Sequence, residues 1–169
     1  MIAFAVGNLV GPLAIGHLFD TIGRRVMIAG TYIGSGILLA ASAVLFYSGL
    51  LNAITQTACW CVIFFFASAG ASAAYLTVSE IFPLGVRAKA IAVFFAIAQC
   101  FGALGPVVYG AMIGDGSRPA RLFIGYLLGA TVMIAGGLIA RRLAVDAEGR
   151  SLEDIAPPLS SDDRRAQDF

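Results

Sequence analysis

Residues 26–79 read VMIAGTYIGSGILLAASAVLFYSGLLNAITQTACWCVIFFFASAGASAAYLTVS, 54 residues without one Asp, Glu, Lys, Arg or His. A helix that crosses about 30 Å of hydrocarbon needs roughly 20 apolar residues. The run is too long for one span and fits two, joined where Ser48-Gly49-Leu50-Leu51-Asn52 supplies glycine and asparagine as breakers. Helices are therefore expected near 26–47 and 53–78. Outward from there, residues 90–114, 122–140 and 1–16 are uncharged stretches as well. Spans near 1–18, 26–47, 53–78, 90–113 and 122–141 make five, a transmembrane domain over 1–143. Residues 144–169 remain as a polar tail, expected to be disordered after Pro157-Pro158.

Composition agrees with an all-α membrane protein. Hydrophobic residues make up 59% of the chain and charged residues 12%, against about 25% charged in an ordinary soluble domain. Of the 21 charged residues, 12 lie from Arg141 onward, so the first 140 positions hold nine, and those are bunched. A net charge of +1 with no basic stripe gives nucleic acid no purchase. Cys59, Cys61 and Cys100 sit in apolar runs without a histidine or acid beside them, so they read as buried packing thiols and no metal site is expected. The first stretch lacks a basic region before it, and Arg24-Arg25 follow it, which argues against a secretory signal.

Basic residues set the expected orientation. Arg24, Arg25, Arg87, Lys89, Arg141 and Arg142 border three alternate polar segments, whereas the other segments hold only Arg118 and Arg121. The first set is expected in the cytoplasm, with the N-terminus outside and the C-terminal tail inside the cell membrane. Eight small residues in a row, Ala67 to Ala74, offer a surface for close helix contact. Gly11-Pro12 and Gly105-Pro106 fall inside spans, where proline removes a backbone hydrogen bond.

The polar segments carry three motifs. Gly16-His17-Leu18-Phe19-Asp20-Thr21-Ile22-Gly23-Arg24-Arg25 has the pattern G-x-x-x-D-x-x-G-R-R. Taken alone it is a charged turn in which Gly16 lets two helices approach and Gly23 allows a tight reversal. Asp20 can face the positive end of a helix. The next segment, Ser79 to Ala90, has the core E-x-F-P-x-x-V-R around Glu80, Pro83 and Arg87. The tail adds Glu148-Gly149-Arg150-Ser151-Leu152-Glu153-Asp154-Ile155, within which Ser151 and Asp154 also have capping-box spacing.

In this order the three segments resemble the loop signatures of major facilitator superfamily transporters, closest to the sugar-porter and metabolite-porter branches. The resemblance implies five transmembrane helices forming part of the C-terminal half of a twelve-helix major facilitator fold, helices eight to twelve. It also implies that helices one to seven are partners missing from this chain. The implied function is transport of a small organic solute, a sugar or an organic-acid-like metabolite, by alternating access, with the chain inactive alone. The sugar-porter G-P-x-P-W is replaced by Ala71-Ser72-Ala73-Ala74-Tyr75, which points away from a hexose. A non-transporting membrane interaction module, or a truncated gene product, is the competing reading. No catalytic triad, metal-ligand set or phosphate loop is present, so neither an enzyme nor a cofactor is expected.

The resemblance further implies a cytoplasmic salt-bridge lattice with Arg24 and Arg25 as donors, Glu80 and Glu148 as acceptors, and Arg87 as a further positive charge. Asp20 would meet the opposite half. Asn8 lies 12 positions before Asp20 and Gln99 lies 12 after Arg87, so both are about 18 Å from the cytoplasmic edge at 1.5 Å per residue. Solute sites of this class lie near midplane. Asn8 and Gln99, with Tyr75 nearer the cytoplasm, are candidates for the solute path; interhelical hydrogen bonding without ligand contact is the other reading. No span carries an ionisable residue in its interior, so the carboxylate for any coupling proton is expected in the missing helices. His17 reads as incidental, Asp115 as part of an external turn, and Trp60 with Phe64, Phe65 and Phe66 as lipid or packing contacts.

Overall fold

A computed structural model describes residues 2–114 and 118–144, with side chains from residue 5 onward. Five helices follow one another: α1 (Ile2–Thr21), α2 (Arg24–Tyr47), α3 (Ala53–Ile81), α4 (Leu84–Ile113) and α5 (Pro119–Leu143). Among the described residues there is no strand. The expected tail, 144–169, beyond Ala144, and the turn at Asp115 lie outside the described residues.

Local chemistry explains where the helices stop. Gly23 takes φ 110° between α1 and α2, a backbone conformation open to glycine and strained for other residues. Gly49 takes φ 72° in the α2–α3 turn. Asn52 then caps α3: its side-chain oxygen accepts from the backbone N–H of Ile54 and Thr55 at 3.0 and 2.9 Å. The Thr55 hydroxyl accepts from the Asn52 N–H at 2.9 Å, closing a capping box. Phe82 is extended, the conformation favoured before proline, and Pro83 leads into α4. Pro119 opens α5, where its missing N–H is of no consequence. The helices run past the charge-free stretches because backbone hydrogen bonding continues through the polar ends.

Helices α2 to α5 are each long and apolar enough to cross a membrane. Helix α3 packs between α1 and α2, and α2 between α3 and α5. Helix α4 lies more loosely against α3 and α5 and has no buried residue. Two aromatic contacts hold it. The Tyr75 ring of α3 stacks on Phe95 at 4.5 Å and meets Phe94 edge-on at 5.5 Å. Further along α4, the Tyr109 ring lies over Gly125 and Gly129 of α5.

Small residues face inward and large ones outward. The buried set includes Ala29, Ala43, Ala69, Ala73, Ala130, Ser35 and Ser42, while Leu9, Leu13, Ile54, Phe101 and Leu143 are well exposed. Lipid tails are as apolar as leucine, so helices in a bilayer gain from close backbone approach rather than from hiding leucines. Gly36 faces the Ala130 carbonyl of α5, Gly137 faces that of Ala29 in α2, and a methyl group at either would collide. Within the row of small residues, Gly70 abuts Thr31 of α2, and the Ser68 hydroxyl donates to the Asn8 carbonyl of α1 at 3.2 Å.

Candidate functional site

Most of the described charged residues gather at one end of the bundle, where α1 and α3 end and α2 begins; Arg118 and Arg121 stand at the other. Arg24 is the first residue of α2 and is only 8% exposed. Its guanidinium donates to the Glu80 carboxylate near the end of α3 and, at 3.2 Å, to Asp20 Oδ1 in the last turn of α1. One cation thus bridges two carboxylates on different helices, leaving a local formal charge of −1. The two contacts are unequal. The Asp20 side chain is 66% exposed, whereas that of Glu80 is 23% exposed. Water weakens the first pair far more than the second.

Phe19 holds this corner from beneath. It is almost fully buried against Ile28, Ala69 and Ala73, so the loop is anchored by an aromatic side chain as well as by charge. Below the ion pair lies a cavity of about 190 Å³ whose wall includes Pro12, Gly16, Asp20, Arg24 and Ser72. Gly16 corrects its expected role. A methyl group there would meet nothing within 4 Å, so it lines open space rather than a helix contact. The close approach falls at Gly11, where a methyl group would collide with the Phe65 carbonyl oxygen of α3.

Arg25, expected to donate to a carboxylate, has backbone carbonyls as its partners among the described residues. Its Nε donates to the Arg141 carbonyl at 2.6 Å and its Nη2 to the Arg142 carbonyl at 3.5 Å. The last carbonyls of a helix have no intrahelical partner, and a guanidinium satisfies them well. Arg25 therefore clamps the start of α2 to the end of α5. Arg87 donates through Nε to the Phe82 carbonyl at 3.2 Å, bracing the α3–α4 turn at Pro83. Glu148 lies outside the described residues.

The other candidates are spread apart. Asn8 on α1 and Gln99 on α4 are both exposed, and Tyr75 is half-buried in its aromatic contact with α4. The cavity beneath the ion pair contains none of the three. The cysteines also depart from expectation: Cys59 and Cys61 are half-buried and Cys100 is exposed, as a small apolar side chain can be where the surroundings are lipid. Among the described residues no group of three metal-ligating side chains occurs.

Gln56 went unnoticed in the sequence. It is 5% exposed in the first turn of α3, and neither side-chain polar atom has a hydrogen-bond partner among the described residues. An aromatic cluster stands nearby in sequence, where Tyr126 meets Phe46 and Trp60 edge-on at 5.9 Å each. Only the burial of Gln56 distinguishes it from the exposed polar residues around the turn.

Comparison with known proteins completes the picture. Searches against curated proteins and solved structures returned no significant match. The family model described as "Sugar (and other) transporter" matches residues 1–158, nearly the whole chain. That family is a non-enzymatic class of major facilitator membrane carriers, in accord with the apolar helices and the motifs at their ends. The chain is an integral membrane protein that belongs to the sugar (and other) transporter family.

Proposed function

We propose that this chain is the portion of a secondary carrier equivalent to helices eight to twelve, and that the carrier moves a small organic solute of the sugar or organic-acid type by alternating access. The observation that supports it most is the bridge from Arg24 to Asp20 and Glu80, which ties three helix ends together at one end of the bundle. Such a bridge holds that end closed, and its loss lets the ends part. Arg24, Arg25, Arg87, Lys89, Arg141 and Arg142 share this end, against Arg118 and Arg121 at the other, which supports a cytoplasmic location for it and an external N-terminus.

Alternating access needs a wet path, and the exposed amides support one. An amide facing lipid is unfavourable, so Asn8 and Gln99 are better explained by a polar path or by further helices packed on α1 and α4. The unburied surface of α4 is in keeping with such helices. The described spans hold no acid or histidine deep in their interior, so the residue for any proton coupling would belong to those further helices.

A chimera tests the proposal. Residues 1–158 replace the corresponding helices of a twelve-helix family member, and uptake of labelled sugars and organic acids is followed in proteoliposomes. Saturable uptake is expected from the chimera and none from the chain alone. A correctly inserted chimera that moves no solute would overturn the reading, and flux through the chain alone would overturn its dependence on other helices.

A further inference from the structure

A groove of about 660 Å³ runs along α2 from Arg25 past Gly30, Ile33 and Gly34 to Ile37, with Arg141 of α5 at its mouth. Apart from the two arginines its wall is apolar. Gly30 and Gly34 leave it open, since a methyl group at either would meet nothing within 4 Å. Twelve residues of helix measure about 18 Å, slightly more than one leaflet of a hydrocarbon core roughly 30 Å thick. The groove therefore begins at the headgroup level and ends near midplane.

We infer that this groove holds one anionic phospholipid, its phosphate at Arg25 and Arg141 and one acyl chain along Gly30 and Gly34. Charge supports a lipid over an apolar helix. Arg25 spends Nε and Nη2 on carbonyl oxygens and keeps Nη1, while Arg141 is exposed. Among the described residues no carboxylate pairs with either, and both described acids, Asp20 and Glu80, are engaged by Arg24. Arginines bordering an apolar groove at the membrane surface recognise acidic headgroups. The groove's length supports a lipid as well, because a packed transmembrane helix needs a surface along the whole span. A neighbouring groove lined by Leu18, Met27 and Phe66 has no charged residue in its wall and offers a headgroup nothing.

This inference is independent of solute transport. The full chain is purified in detergent, offered phosphatidylglycerol or phosphatidylcholine, and the lipid retained is counted by native mass spectrometry. Preferential retention of phosphatidylglycerol is expected, reduced about fivefold by Arg141→Gln, since one arginine near the surface is worth about 1 kcal/mol. Arg141→Gln leaves the Arg25 clamp intact, because that clamp uses a backbone carbonyl. Gly30→Leu fills the groove where there is room, and should lower retention of both lipids with helicity unchanged. Equal retention of the two lipids, or a preference untouched by Arg141→Gln, overturns the inference. So does a concentration-dependent dimer lost in Gly30→Leu, which would make the groove an interface between copies of the chain.

Discussion

Arg24 shows how burial ranks two ion pairs that share one cation. Glu80→Gln removes the better-buried carboxylate from a nearly buried guanidinium and leaves the exposed Asp20 pair in place. The expected destabilisation is about 3 kcal/mol, the low end for breaking a buried pair. Asp20→Asn should cost less than about 1 kcal/mol, as exposed pairs do. Unfolding in detergent, followed by Trp60 fluorescence, measures both, and equal effects would show that burial does not set the ranking. Part of this corner was legible: the resemblance implied Arg24 as a donor and Glu80 as an acceptor, but it set Asp20 against the opposite half, whereas Asp20 meets Arg24. The Arg25 clamp was not, because its acceptors are backbone carbonyls, which every residue has. Gln56 was invisible for a similar reason, since only packing distinguishes a buried amide from an exposed one.

At the scale of elements, the charge-free stretches marked five helices, but α4 and α5 begin at Leu84 and Pro119, before the expected starts near 90 and 122, where Pro83 and Pro119 set their ends. What those stretches left open was which glycine makes a contact. Gly11 and Gly16 share a helix, yet only Gly11 faces the neighbouring backbone. Gly11→Ala is expected to force α1 away from α3 and lower the thermal midpoint. Gly16→Ala should be neutral or stabilising by up to about 1 kcal/mol, the helix-propensity gain of alanine. Thermal unfolding of the two variants in the same detergent separates them, and a larger loss for Gly16→Ala would contradict the packing of α1 on α3. Sequence spacing placed close approach at the wrong glycine because both lie beside apolar residues, and the register between helices is written in neither.

For the molecule as a whole, the order of the loop motifs carried the family, but not the neighbours of each helix. In water an apolar stripe points to the core. In lipid both sides of a helix can be apolar, so the sequence of α4 did not reveal how little of it the other helices cover. The short α1–α2 and α3–α4 connections nevertheless lie at the same end, joined through Arg24 and Glu80. Single cysteines introduced as Ile22→Cys and Leu84→Cys, both at exposed positions, should react with an impermeant maleimide from the same side, the cytoplasmic one under the proposed orientation. Reaction from opposite sides would rule out the arrangement.

Tyr75 and Tyr109 have one more consequence. They fasten α4 at two heights, one ring against α3 and the other against α5, on a helix with no buried residue. A rod pinned in this way resists sliding along its length much more than rocking about the line through its pins. Whatever rearrangement the bundle undergoes, α4 would take part by swinging on its two tyrosines, with the rest of its surface free to exchange neighbours.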